Sequence, residues 1–284
     1  TIFDKPSISI IPPDTIYRSK SYQNKILIQP DKSNGSNNWA VDGSKTKSGF
    51  TMLSNDPHLQ LTLPNIWYQI HLNTPKFNVY GASLPGAPCV ISGFNDSIAW
   101  GETNGGDDVW DWYDITFKDN NMHEYYFNGS WVKTKKRIEE IKIRGQKSFF
   151  DTVTYTHFGP IVWSNIEQNK YLGDSTSITN VGRALRWLAH DPSVESKTFY
   201  ELNKAKGYNE FVEALKYFTC PAQNFAYADV KGNIAMWHSG NTPVKWKNQG
   251  RFVMDGTIND NSWKKQIPHN EKPHIKNPKS GYIS

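Results

Sequence analysis

Residues 35–59 read GSNNWAVDGSKTKSGFTMLSNDPHL, two short alternating runs around a turn-rich centre. Asn37, Trp39 and Val41 alternate with Asn38, Ala40 and Asp42. After the Gly-, Ser- and Lys-rich stretch 43–49, Phe50 to Ser54 alternate again. Period-two alternation on both sides of such a turn predicts a β-hairpin. Immediately upstream, residues 1–35 are rich in Ser, Pro, Asn, Lys and Ile, and Pro12, Pro13 and Pro30 break any helix, so this segment reads as a connector. A strand that starts directly behind a connector, at Gly35-Ser36, calls for an explanation.

Working outward, Ile66–Leu72, Val90-Ile91, Ser97–Trp100 and Trp112–Phe117 have the look of further strands, as do Asn128–Val132 and Thr152–Thr156. Helices are expected over Lys197–Ala205, ending at Gly207, and over Asn209–Phe218, where Phe211, Leu215 and Phe218 fall on one face. Phe225–Asp229 and Ile234–Trp237 flank Lys231-Gly232 as a second hairpin. The chain is strand-rich with few helices. Trp39, Trp67 and Trp100 lie inside apolar strand patterns and are expected in the core.

The bounds narrow the function. At 284 residues the chain is long enough to bury a sizeable core. No apolar run approaches the roughly 20 residues needed to cross a bilayer, so no membrane partner is expected. The net charge of +5 is mild, and the lysine clusters at 133–147 and 245–278 read as solvated faces with no nucleic-acid motif framing them. Cys89 and Cys220 form neither a CxxC pair nor a disulfide framework. A dinucleotide fingerprint, a phosphate loop, HExxH and GxSxG are all missing, and no organic cofactor is expected. His58, His157 and His238 sit in or beside strands, where a structural histidine is the ordinary reading. Asp107, Asp108 and Asp111 behind Gly105-Gly106 are spaced either to hold a calcium ion or to form a turn of solvated acids. The sequence begins at Thr1 without a leader pattern, so it is expected to be a piece of a processed chain.

Several ordered motifs then carry a resemblance. Ser36-Asn37-Asn38-Trp39, Ser54–Leu59 (SNDPHL), Ser83–Gly86, Gly93-Phe94-Asn95, Ile98–Gly101 and Asn104–Val109 (NGGDDV) occur in that order, followed by Asn224–Asp229, Gly232-Asn233-Ile234 and Asn277–Ile283. Together they resemble the start of the β-chain of penicillin acylases, across most of 36–284. The resemblance implies an α+β protein of the αββα four-layer N-terminal nucleophile hydrolase fold, here partial. It also implies a precursor that cleaves itself between Gly35 and Ser36, with 1–35 as the tail of a spacer. The chemistry is reasonable. A serine hydroxyl needs a base, and a free α-amine on the same residue, with an ordinary pKa of about 8, can take its proton through a water. Gly35, lacking a Cβ, allows the backbone angles in which Ser36 attacks the preceding carbonyl.

By the same resemblance the oxyanion is held by the Asn104 backbone N–H and the Asn224 side-chain amide. His58 serves beside the nucleophile, and Lys245 stands near a family Arg whose bidentate fork a Lys lacks. The acyl pocket corresponds to Leu59, Ser92 and Glu102, and an acid there argues against a simple phenylacetyl substrate. Asp108, Asp111 and the Trp110 carbonyl correspond to ligands of a structural Ca2+. The implied activity is hydrolysis of an N-acyl amide, of penicillin type or of an acyl-homoserine lactone. The expected partners are the α-chain of the same precursor, the remainder of the β-chain and a small N-acyl substrate. A periplasmic or extracellular location follows from family habit. The competing reading is a non-catalytic, aromatic-rich β module that binds glycan or peptide, drawing on its 11 tryptophans.

Overall fold

The computed structural model describes residues 35–59, 61–166 and 180–284. Apart from Gly35, the expected spacer tail lies outside these residues. The chain divides into two compact units, one containing Val109–Asp191 and Pro243–Gln266, the other containing 35–108, Pro192–Thr242 and Ile267–Ser284.

The second of these carries Ser36. In chain order its strands are β1 (Gly35–Val41), β2 (Met52–His58), β3 (Tyr68–Asn73), β4 (Asn78–Ser83), β5 (Ser92–Asn95) and β6 (Ile98–Asn104). The other unit supplies β7 (Trp110–Phe117), β8 (Glu124–Phe127), β9 (Ser130–Lys133), β10 (Lys135–Ile141), β11 (Phe149–Thr156), β12 (Gly159–Ser164) and β13 (Asn180–Trp187). Helices α1 (Glu195–Lys204) and α2 (Tyr208–Leu215) and strands β14 (Gln223–Asp229) and β15 (Ile234–Ser239) return to the Ser36 unit. Then β16 (Met254–Asp255) pairs parallel with β7, while β17 (His274–Lys276) and β18 (Tyr282–Ile283) complete the Ser36 unit.

In the Ser36 unit a seven-stranded sheet runs β17-β15-β14-β6-β5-β4-β3, and a three-stranded sheet runs β18-β1-β2. One face of the larger sheet packs on the helices: Trp100, Phe225 and Tyr227 join Phe199, Leu202, Phe211 and Leu215 in one core. Its other face meets the small sheet, where Ala228 and Ile234 pack with Ala40 and Ile283. Helix, sheet and sheet are therefore three stacked layers among the described residues. Glu195 in the first turn and Lys204 in the last turn of α1 complement the helix dipole. Asn95 Nδ2 donates to the carbonyls of Leu202, Asn203 and Ala205 and so caps the C-terminus of α1 against β5.

The other unit is built on the sheet order β10-β11-β12-β13-β7-β8-β9. Its core stacks Tyr113 on Phe158, ring centroids 3.9 Å apart, with Ile115, Phe117 and Tyr125 around them.

The expected 35–59 hairpin forms, with Gly35 opposite His58 and Val41 opposite Met52. Its phase is the reverse of the expectation: Asn38 and Ala40 are buried, and Trp39 is 38% exposed. The cause is polar. The amide of Asn38 is buried with acceptors in reach, donating to the Gly101 and Asn224 carbonyls of the facing sheet. Trp100 is buried as expected. Val90-Ile91 is not a strand. The backbone of Val90 is clasped by one side chain, its N–H donating to Asn203 Oδ1 (2.9 Å) and its carbonyl accepting from Asn203 Nδ2 (2.8 Å). Replacing Asn203 by Ala strands both buried groups. We expect a loss of roughly 2–4 kcal/mol in the intact protein, read as a lower urea midpoint; an unchanged midpoint contradicts the clasp.

Candidate active site

Along β1 the side chains at 36, 38 and 40 share one face and those at 35, 37 and 39 the other. Exposure follows this alternation, with Asn38 and Ala40 buried, Ser36 half-buried and Gly35, Asn37 and Trp39 exposed. Ser36 therefore lies on the face that meets the seven-stranded sheet. Its Oγ donates to the Gly35 carbonyl at 2.7 Å, which keeps the hydroxyl beside the peptide group that precedes it. Two residues on, Asn38 Nδ2 donates to the Asn224 carbonyl on β14 at 3.0 Å and, more weakly, to the Gly101 carbonyl on β6 at 3.4 Å. A strand advances about 3.3 Å per residue, so Ser36 stands roughly 7 Å along β1 from this tie.

Asn224 and Asn104 are one register step apart across the pair β6–β14, in which Asn104 opposes Gln223. Asn224 Nδ2 reaches the Asn104 carbonyl at a long 3.4 Å. Its Oδ1 lies 2.8 Å from His238 Nδ1, and His238 Nε2 lies 3.0 Å from Asp107 Oδ1. The other Asp107 oxygen accepts from Thr242 Oγ1. Burial alone would raise the Asp107 pKa, but these two hydrogen bonds, with the charges of His238 and Lys272, hold it below the ordinary value. Lys272 is itself buried. Burial pulls its ammonium down to about 8 against the attraction of Asp107.

His58 lies opposite Gly35, its Nδ1 3.4 Å from where a side chain on that glycine would begin. Its Nε2 pairs with Asp56 Oδ2 at 2.9 Å. Ser36, His58, Asn104 and Asn224 thus belong to one unit. Ser92 belongs there too, its Oγ accepting from Asn55 Nδ2 at 3.2 Å, and Leu59 is exposed just past the end of β2. Glu102 faces elsewhere. It opposes Phe225, a residue of the helix-side core, whereas its neighbour Gly101 faces β1–β2. The residue as a whole is half-buried, yet its Oε2 is sealed from solvent with no hydrogen-bond partner. Burial pushes its pKa up to about 8, against a small opposing effect from a backbone hydrogen bond.

Lys245 and Asp111 belong to the other unit. There Lys245 Nζ lies 2.9 Å from Asp111 Oδ1, and Trp263 Nε1 donates to Asp111 Oδ2 at 2.6 Å.

The penicillin amidase family model matches residues 6–284. The chain belongs to the penicillin amidase family. It is 27% identical over 250 residues to the acyl-homoserine lactone acylase QuiP of Pseudomonas aeruginosa, covering 87% of this chain and 29% of that protein. It is 29% identical over 253 residues to the penicillin G acylase of Escherichia coli, covering 88% and 28%. Among solved structures, the thermostable penicillin G acylase of Alcaligenes faecalis matches with a TM-score of 0.73 at 26% identity, covering 87% of this chain and 43% of that one. The chain therefore spans under a third of the length of these curated relatives.

The calcium ligands implied by the family resemblance are divided, Asp108 falling in the Ser36 unit and Trp110 and Asp111 in the other. At Asp111 the donors do not fit a calcium ion, because both oxygens already take hydrogen bonds, one of them from a cation. Among the described residues no group of three or more His, Cys, Asp or Glu is arranged to hold a metal.

Asn38, Asp107 and the bridging role of His238 were not read from the sequence as parts of the site. The signal for Asn38 was its position two residues after Ser36 on an alternating strand. Asp107 and His238 are more than a hundred residues apart, and nothing local links them.

Glu102 gives the unit a pH signature. A carboxyl whose folded pKa is raised binds a proton more tightly folded than unfolded, so its contribution is present below about 4.5 and lost as pH rises towards about 8. Urea midpoints should fall between pH 5 and pH 8 in the parent protein and fall less in Glu102→Gln. Equal slopes contradict the sealed, protonated carboxyl.

Proposed function

We propose that this chain is the nucleophile-bearing part of an amidohydrolase that cleaves an N-acyl amide bond, with Ser36 as an N-terminal nucleophile exposed by self-cleavage. The observation that carries this reading is the position of Ser36: on the inward face of β1, its Oγ 2.7 Å from the Gly35 carbonyl oxygen, on a strand tied by Asn38 to the strand that bears Asn224.

In maturation the Ser36 Oγ attacks the Gly35 carbonyl carbon. The Gly35–Ser36 C–N bond breaks, the Gly35 acyl group passes to Oγ as an ester, and water hydrolyses that ester, leaving a free α-amine on Ser36. The Asp56-paired His58 beside Gly35 is placed to handle protons in this step. In turnover the amine takes the Ser36 hydroxyl proton through a water while Oγ attacks the acyl carbonyl. The Asn104 N–H and Asn224 Nδ2 receive the oxyanion, the leaving amine gains a proton, and water then releases the acid from the acyl ester. While Gly35–Ser36 is intact there is no free amine, so the unprocessed chain is inactive. No step passes through calcium.

The rest of the β-chain and an α-chain from the same precursor complete the protein, and the placement is periplasmic or extracellular. No helix among the described residues is long and apolar enough to cross a membrane. Several relatives are acyl-homoserine lactone acylases, which favours acyl-homoserine lactones as a second substrate class beside penicillin-type amides.

In the full-length protein, Ser36→Ala is expected to abolish amide hydrolysis across a panel of penicillin G, phenylacetyl amides and acyl-homoserine lactones. Asn224→Ala should lower kcat about 100- to 1000-fold, the ordinary effect of losing one oxyanion donor. Parent-like hydrolysis by Ser36→Ala overturns Ser36 as the nucleophile, whereas a parent protein that hydrolyses none of the panel and binds ligand through exposed tryptophans alone favours the non-catalytic binding module.

A further inference from the structure

His238 stands between two hydrogen-bonding groups that the hydrolytic steps above do not fully use. Its Nδ1 is 2.8 Å from Asn224 Oδ1 and its Nε2 is 3.0 Å from Asp107 Oδ1. Which end of an asparagine amide is oxygen follows from its neighbours. The end of Asn224 that faces the Asn104 carbonyl at 3.4 Å must be the NH2, because two carbonyl oxygens at that distance repel. The oxygen end therefore faces His238, and Nδ1 must be a donor. Asp107 accepts from Thr242 and lies 3.0 Å from Nε2, and so anchors the far side of the ring. The ring is held between the Asn224 amide and the Asp107 carboxylate, with the buried ammonium of Lys272 as the other charge bearing on Asp107.

We infer that His238 is a positioning residue for amide hydrolysis: anchored by Asp107, it fixes the roll of the Asn224 side chain so that Nδ2 is the end offered to the developing oxyanion. This rests on the reading of Ser36 as the nucleophile. The chain starts from the Asp107 carboxylate, and a hydrogen bond that involves a charged group strengthens the next one in the chain. An absent ring frees the Asn224 amide to rotate and to present its oxygen, which would repel an oxyanion.

The space for the ring is made by Gly105. Its backbone N–H donates to the Ala222 carbonyl at 2.7 Å, and a Cβ on this residue would lie 2.7 Å from His238 Cε1 and 2.9 Å from the Ala222 carbonyl carbon. A side chain at 105 must move either the ring or the β14 approach. His238, Asp107 and Gly105 thus form one support behind Asn224.

The test compares a tetrahedral mimic with a planar one in the full-length, processed protein. An alkyl- or arylboronic acid that adds to Ser36 needs the oxyanion donors, and the carboxylic acid product of the same acyl group does not. For His238→Ala we expect kcat to fall about 30-fold or more with KM within about 3-fold, boronate affinity to fall in parallel with kcat, and product-acid affinity to stay within about 3-fold. His238→Gln, which keeps a donor for Asn224, should recover much of the loss, and Gly105→Ala should resemble His238→Ala. If His238→Ala does not mature, the comparison is made on Asp107→Asn, which should then show boronate affinity lowered more than product-acid affinity. Unchanged kcat and boronate affinity, or equal weakening of boronate and acid, overturns the positioning role. A parent protein that neither hydrolyses amides nor binds the boronate instead defeats the nucleophile reading itself.

Discussion

The side chain of Asn38 holds the Ser36 unit in a usable form. It sits between two stacked sheets, 7% exposed, and its amide donates to carbonyls on two different strands of the facing sheet. Each such bond contributes about 1 kcal/mol net, but a buried amide left unpaired costs about 1–3 kcal/mol, so a strand position that buried Asn38 without these acceptors would be disfavoured. The inward face of β1 is thereby fixed by a polar contact, and everything else on that face follows, including the direction of the Ser36 hydroxyl. Gly101 lets the sheets come this close: a Cβ there would lie 2.5 Å from Asn55 on β2. The proposed nucleophile and the proposed oxyanion donors come from separate sheets, tied to each other by the Asn38 amide.

Beside Asn224 runs a second polar chain. Asp107, His238 and Asn224 run from a carboxylate through an imidazole to an amide, all within one unit and largely out of water. Low local dielectric strengthens each link and makes a broken one costly. The other unit shows the same economy at a different place, where Asp111 is wholly buried yet matched by the Lys245 ammonium and the Trp263 indole. A lysine at that position supplies a positive charge to a carboxylate that the family resemblance would have given to calcium.

Much of the fold was legible in the sequence, where periodicity and local turn chemistry decide. The 35–59 hairpin, both helices and the Phe225–Trp237 hairpin form close to their expected bounds, the last around an Asp229 carboxylate that accepts from the backbones of Lys231 and Asn233. What failed was the part set by distant partners. Trp39 was expected inside because apolar residues usually are, and Asn38 took the inward place, where its amide donates to carbonyls 63 and 186 residues away. Val90 kept out of a strand because a helix side chain from Asn203 satisfied its backbone. The same division holds at the candidate site. Ser36, Asn104 and Asn224 were reached through ordered motifs, whereas the Asp107–His238 support spans more than a hundred residues and became visible only when β6 and β15 were brought to either side of β14.

The central claim is that Ser36 becomes the first residue of a mature chain and does its chemistry from there. Intact-mass analysis of the full-length protein after expression tests this most directly. The account predicts a processed chain whose mass corresponds to an N-terminus at Ser36. A mature, hydrolytically active protein in which Gly35–Ser36 remains joined, or whose corresponding chain begins at any other residue, would contradict it.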